Sequence, residues 1–183
     1  MQTTASSLSI RDLTYCAICA ALIAICSWLT IPAAVPFTLQ TFAVFLSLEL
    51  LGGKRGTLSV LIFILLGCIG IPVFSGFMGG FGVLLGTTGG YIIGFIFMGL
   101  SYRLILHLFG EAPVIRVIAL LVGLLICYTF GTAWFVLVYT AKTGPIGILA
   151  ALGLCVFPFV LPDTIKLLLA FFLAKRLRKV LPL

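Results

Sequence analysis

Asparagine is absent from this chain, histidine occurs once, and Asp and Glu together number 4 among 183 residues. Each shortage excludes a class of function. The lone His107 has no cluster of imidazoles and carboxylates around it in sequence, so a catalytic metal site has no ligand set. Gly53-Lys54 is followed by Arg55 rather than Ser or Thr, so the phosphate-binding loop of an ATPase is missing. Beyond residues 1–10 there is no sizeable polar stretch, which leaves no room for a water-soluble domain. What the chain has instead is hydrocarbon. It is 63% hydrophobic and 8% charged, with a mean hydropathy of +1.37. That is the composition of an integral membrane protein. The first apolar run is too long for a cleavable signal and has no small-residue cleavage site at its end.

The net charge of +7 does not read as a nucleic-acid footprint, because the basic residues are scattered between apolar runs. Their order reads as membrane topology. The six cysteines, Cys16, Cys19, Cys26, Cys68, Cys127 and Cys155, all sit in apolar runs. Cys16 and Cys19 have no second pair to complete a metal site and read as small buried hydrophobes.

Taken in order, Ser9 and Asp12 suit a helix start, and a first span runs from Leu13 to about Ile31. Its Ala17-x-x-x-Ala21 and Ala20-x-x-x-Ala24 spacings suit close approach by another helix, although alanine is also simply common in spans. Pro32 and Pro36 break the helix at a membrane face. A second span opens with Thr38, Gln40 and Thr41 and reaches Leu51. Gly52–Gly56 makes a basic turn, and a third span runs from Thr57 to Ile71. Residues 72–91 form an irregular stretch with glycines at 76, 79, 80, 82, 86, 89 and 90. At membrane depth such backbone must be covered by protein or line a cavity, so it reads as the lid and wall of a pocket. A fourth span covers Tyr91–Leu106, and a fifth Val117–Val138, with Trp134 and Tyr139 as interfacial aromatics.

From Ile146 to Leu161 the chain is apolar but interrupted by Gly147, Gly153 and Pro158. One kinked span and two separate spans both fit. Basic residues decide. Six spans put Arg11, Lys54, Arg55, Arg103, Arg116, Lys175, Arg176, Arg178 and Lys179 on one side, the cytoplasm, together with both termini. Only Lys142 and Lys166 fall on the other side. A seventh span would move the C-terminal cluster outward, against the bias. The expected fold is therefore all-α and integral to the plasma membrane: one domain of six transmembrane helices, a glycine-rich outer loop and a kinked or re-entrant lead-in to the last helix.

That topology gathers residues 32–41, 72–91 and 141–166 at the outer side. Asp163 is the only acid among them, and Lys166 stands three residues further along the same helix face. Charges inside a membrane are expensive and mark functional sites. The pattern alone also permits a plainer reading, with Asp163 capping a helix and Lys166 snorkelling to the interface.

These segments resemble a known family, the biotin-specific substrate-binding subunits, BioY, of energy-coupling-factor transporters. The resemblance spans Arg11 to Lys179. It rests on Val35-Pro36-Phe37-Thr38-Leu39-Gln40-Thr41-Phe42-Ala43-Val44, on Lys54-Arg55-Gly56, on the run from Gly79 to Tyr91, and on Pro162-Asp163-x-x-Lys166. Three positions depart from the pattern: Thr87 replaces a proline, Pro162 a glycine, and Gly53 a common proline. The resemblance implies a six-helix membrane subunit that captures biotin from the outer side. It implies a coupling transmembrane subunit and two ATP-binding cassette subunits as partners, with Ala17, Ala20, Ala21 and Ala24 as the docking face and no cofactor.

Biotin presents ureido N–H donors, a ureido carbonyl, apolar rings and a carboxylate. Asp163 can accept from the ureido N–H groups, and Lys166 can donate to the ureido carbonyl or hold the carboxylate. Gln40, Thr41 and the backbone of Gly79, Gly80, Phe81 and Gly82 are the candidate polar shell. Gly89, Gly90 and Tyr91 complete the candidate wall. Two other classes stay open on sequence alone: a solitary facilitator or channel, and a membrane enzyme using Asp163 and Lys166 as acid and base. Ion conductance without partners would mark the first, and turnover of ligand to a new mass the second.

Overall fold

The computed structural model describes residues 9–180, which are almost entirely helical. The chain's extreme ends, whose side of the membrane the charge count addresses, lie outside the described residues. Helix α1 (Ile10–Trp28) starts from a reciprocal cap: the Ser9 hydroxyl accepts from the Asp12 N–H, and the Asp12 carboxylate accepts from the Ser9 N–H. Such a cap satisfies backbone donors that helix geometry leaves unpaired. Asp12 also meets Arg55 Nε at 3.1 Å, tying α1 to the basic turn.

After α1, Thr30–Ile31 (β1) pairs antiparallel with Phe37–Thr38 (β2), closing the proline-rich segment into a small hairpin. Helix α2 (Gln40–Cys68) has 29 residues but is two arms joined at Gly52, which has φ 78° and ψ 171°. In a straight helix residues 48 and 56 would stand about 12 Å apart. Here a Cβ placed on Gly56 would lie 2.8 Å from the Leu48 Cα, so the chain doubles back at once. The basic turn expected over residues 52–56 is thus a single non-helical glycine, because Gly52 alone takes up the left-handed geometry that the reversal needs.

Residues 72–88 carry a 3-10 turn at Ser75–Phe77 and a short α3 (Phe81–Leu84). They are pinned to the end of α1: the Ser27 hydroxyl donates to the Val73 carbonyl at 2.5 Å, Trp28 Nε1 donates to the Pro72 carbonyl at 2.8 Å, and Trp28 stacks on Phe77. Then come α4 (Gly89–Phe109) and α5 (Pro113–Thr143), followed by α6 (Ile148–Cys155) and α7 (Phe157–Leu177). Val156, at φ −127° and ψ −58°, separates the last two, and Pro158 lies in the first turn of α7, where a missing N–H costs nothing. This is the expected interrupted lead-in.

Five helical units are long and apolar enough to cross a bilayer: α1, α2, α4, α5 and α6 with α7. With the arms of α2 taken apart, the long segments number about six, as the basic residues require. Each arm is shorter than the ~20 residues of a straight crossing. Exposed Leu65, Leu104, Leu125, Leu137 and Phe172 cover the outside. In water that surface would aggregate, whereas in a bilayer it is matched to its solvent.

Glycine makes the α4–α5 seam. A Cβ on Gly90, Gly94, Gly123 or Gly131 would lie 2.2–2.9 Å from Trp134, Cys127, Met98 or Tyr91 respectively. Without a hydrophobic drive between helices in lipid, such backbone approach supplies the packing. Trp134 and Tyr139 are half-buried: Trp134 Nε1 donates to the Gly86 carbonyl at 3.0 Å, and Tyr139 stacks on Phe135.

Candidate ligand site

Helix directions follow from the order of elements. The end of α1, the start of the first α2 arm at Gln40 and the end of the second at Cys68, and the starts of α4 and α7, meet at one end of the bundle. The hairpin, residues 72–88 and the α6–α7 break cap the same end. They enclose a cavity of about 420 Å³, a size suited to a small molecule. The three segments that sequence topology gathers, residues 32–41, 72–91 and 141–166, all contribute to its wall.

Asp163 and Lys166 both line it, and both are buried, 2% and 6% exposed. The snorkelling alternative is therefore excluded. Their partners come from other elements. Lys166 Nζ donates to Asp163 Oδ1 at 2.8 Å, to the Thr38 carbonyl at 2.7 Å and to Thr41 Oγ1 at 3.2 Å. The Thr41 hydroxyl passes its own proton to Asp163 Oδ1 at 2.9 Å. The Tyr128 hydroxyl donates to Asp163 Oδ2 at 2.7 Å. The Lys166 ammonium also sits 4.0 Å from the centroid of Phe37, which stacks on Phe159. Cation and ring attract there, adding to the ion pair.

An inventory of valence is informative. All three N–H groups of Lys166 are occupied within the protein. Asp163 Oδ2 accepts one hydrogen bond and retains a lone pair, and Asp163 lines the cavity. Among the described residues, the amide nitrogen of Gln40 is buried without a hydrogen-bond partner, and Gln40 also lines the cavity. The site therefore offers one strong acceptor and one unused donor amid apolar walls. Phe74, Phe95, Ile92 and Leu124 form much of those walls.

The sequence-derived candidates divide. Asp163, Lys166, Gln40, Thr41, Gly82 and Tyr91 line the cavity. Gly79, Gly80, Phe81, Gly89 and Gly90 do not. Gly79 packs on backbone, since a Cβ there would lie 2.6 Å from the Ile71 carbonyl. Gly80 has φ 95°, and its N–H donates to the Gly67 carbonyl, docking the loop on α2. Phe81 is 60% exposed. Gly89 and Gly90 belong to α4 and serve close packing against Leu84 and Trp134. The docking face divides as well. Ala20 and Ala24 are buried within the bundle, which leaves Ala17 and Ala21 outward.

Tyr128 is the main wall residue that sequence reasoning missed. It lies in a long apolar span with nothing to distinguish it from a packing aromatic. Thr38 enters through its carbonyl, a group no side-chain pattern reveals.

With the geometry established, similarity to known proteins can be stated. The model of the BioY family matches residues 1–183. The chain is 41% identical to the biotin transporter BioY of Thermotoga maritima, covering 93% of this chain and 97% of that protein. It is 42% identical to a probable biotin transporter BioY of Pyrococcus horikoshii, over 79% of this chain and 81% of the relative. Among solved structures it resembles the S-component for biotin from an ECF-type ABC transporter. That match has a TM-score of 0.82 and 30% identity, and covers 98% of this chain and 95% of the other.

Proposed function

Because the chain belongs to the BioY family, we propose that it is a biotin-capture subunit of an ECF-type importer. The cavity accounts for such a ligand group by group. A ureido N–H donates to the free lone pair of Asp163 Oδ2. The Gln40 amide donates to an acceptor on the ligand, which relieves its buried, unpartnered state. The thioether ring and chain lie against the aromatic and aliphatic wall. The role of Lys166 is to hold Asp163 ionised and oriented within hydrocarbon, since its own donors are occupied.

One observation carries the reading: a fully buried acid–base pair that faces open space and keeps one acceptor site vacant. Isothermal titration of biotin tests it. A hydrogen bond to a charged acceptor is worth about 1.5–3 kcal/mol. Asp163→Asn should therefore weaken binding by about tenfold to a hundredfold while the protein stays folded. Unchanged affinity in a folded Asp163→Asn protein would refute the assignment.

In the cell the protein is a multi-pass membrane protein. Under this proposal the cavity opens outward from the plasma membrane and both termini face the cytoplasm. A coupling membrane subunit docks on the Ala17/Ala21 face, and two ATP-binding cassette subunits supply the energy. A transport role, not catalysis, follows from the family.

A further inference from the structure

At the other end of the bundle lies a second cavity of about 330 Å³, with a different chemistry. Arg103, Arg116 and Arg178 line it with His107, and Glu111 is the one carboxylate in its wall. Beneath it Glu49, 1% exposed, is paired through both oxygens: Arg116 Nη2 meets its Oε2 at 2.5 Å, and the Tyr102 hydroxyl donates to its Oε1 at 2.7 Å. Arg178 donates to the Glu49 backbone carbonyl, not to a carboxylate. Arg116 keeps a buried Nε with no partner among the described residues. Three guanidiniums thus gather in a half-enclosed space with two carboxylates, one of them already paired with Arg116. The exposed Arg103 and the buried, unpartnered Arg116 Nε leave donors there for an anion to meet.

The cavity exists because of the glycine turn. A Cβ on Gly53 would lie 2.5 Å from the Arg103 Cβ, so only glycine lets α4 approach there, while Gly52 has nothing within 4 Å. The bilayer-facing rim of α4 beside it carries exposed Leu104 and Leu108.

We infer that this second cavity is a binding site for a phosphate-class anion, the headgroup of an anionic lipid or the free ion. Guanidinium forks match phosphate oxygens in pairs. Basic pockets between helices at a membrane surface bind such headgroups. The apolar rim would carry the acyl chains of a lipid.

Native mass spectrometry of the full chain in detergent tests the inference, with titrations of phosphatidylglycerol, phosphatidylcholine and inorganic phosphate. Wild type should retain one phosphatidylglycerol and no phosphatidylcholine. Arg103→Gln, which removes a guanidinium with no hydrogen-bond or ion-pair partner among the described residues, should weaken retention by about tenfold, the scale of a lost charge-assisted contact. The combined Lys175→Gln, Arg176→Gln, Lys179→Gln variant, altered on the exposed tail of the same end, should retain the lipid like wild type. Displacement of phosphatidylglycerol by millimolar inorganic phosphate would assign the site to the phosphate group itself; resistance to displacement would assign it to the whole lipid. Equal retention by Arg103→Gln and wild type, equal retention of phosphatidylcholine, or loss confined to the tail variant would overturn the inference. An unchanged biotin titration of Arg103→Gln verifies that its fold is intact.

Discussion

The two ends of the bundle each bury a carboxylate against a cation, and they use it differently. At one end Asp163 meets Lys166, Thr41 and Tyr128 beside an apolar cavity, with one lone pair and the Gln40 amide left over. At the other, the Glu49 carboxylate meets Tyr102 and Arg116, and its backbone carbonyl meets Arg116 and Arg178. The first carboxylate lines a cavity beside an unpartnered amide. The second ties α2 to α4 and α5 through its carboxylate, and to the end of α7 through the Glu49 backbone carbonyl. Burial alone does not mark a binding site; burial with unfilled hydrogen-bonding capacity facing open space does.

That contrast can be broken. The largest expected effect is at Glu49. Glu49→Ala should lower stability by about 3–5 kcal/mol, because it strands Arg116 in a buried position. Thermal unfolding in detergent should drop sharply, while the folded fraction binds biotin as wild type does. An unchanged melting point would show that the cluster is no clasp. Next, Tyr128→Phe removes a hydrogen bond to a charged acceptor and should weaken biotin binding by about tenfold. Calorimetry reads this directly, and no change would mean Asp163 is oriented without the phenol.

A smaller and more diagnostic effect is expected at Gln40. Gln40→Met keeps the volume and deletes the unpartnered donor. Affinity should fall by about fivefold, the worth of one ordinary hydrogen bond. Stability of the empty protein should hold or rise, since a buried unsatisfied group is gone. A fall in stability with unchanged affinity would contradict the assignment. Smallest of all on the isolated chain is Ala21→Leu. Biotin affinity and melting point should stay put, but co-purification with the coupling subunit should be lost. Retained assembly would move the docking face elsewhere.

Much of this was legible in sequence because the membrane penalises polarity so heavily. Asp163 and Lys166 stand out in a run of Leu, Phe and Val, and no lipid-facing position would tolerate them together. Counting basic residues on each side then brought three loops to one end, and the cavity lies there. The interrupted lead-in was legible from Pro158 and from Gly147 and Gly153 before it. Glycine itself was less readable. Gly82 lines the cavity, Gly79 and Gly80 fold a loop, and Gly90 admits Trp134. One residue type serves all three needs, because what it supplies is the absence of a side chain.

From the amino-acid order alone came the membrane class, an approximate crossing count, the gathering of loops and the charged pair, since each depends on the cost of placing a polar group in hydrocarbon, which composition and spacing express. Tertiary structure alone decided that Tyr128 serves Asp163, that Glu49 is clasped from three helices, that Ala20 turns inward while Ala21 turns out, and that Gln40 is left with a donor to give. Those are facts of distance between segments far apart in the chain, and a linear pattern carries no record of which hydrogen-bonding groups are already taken.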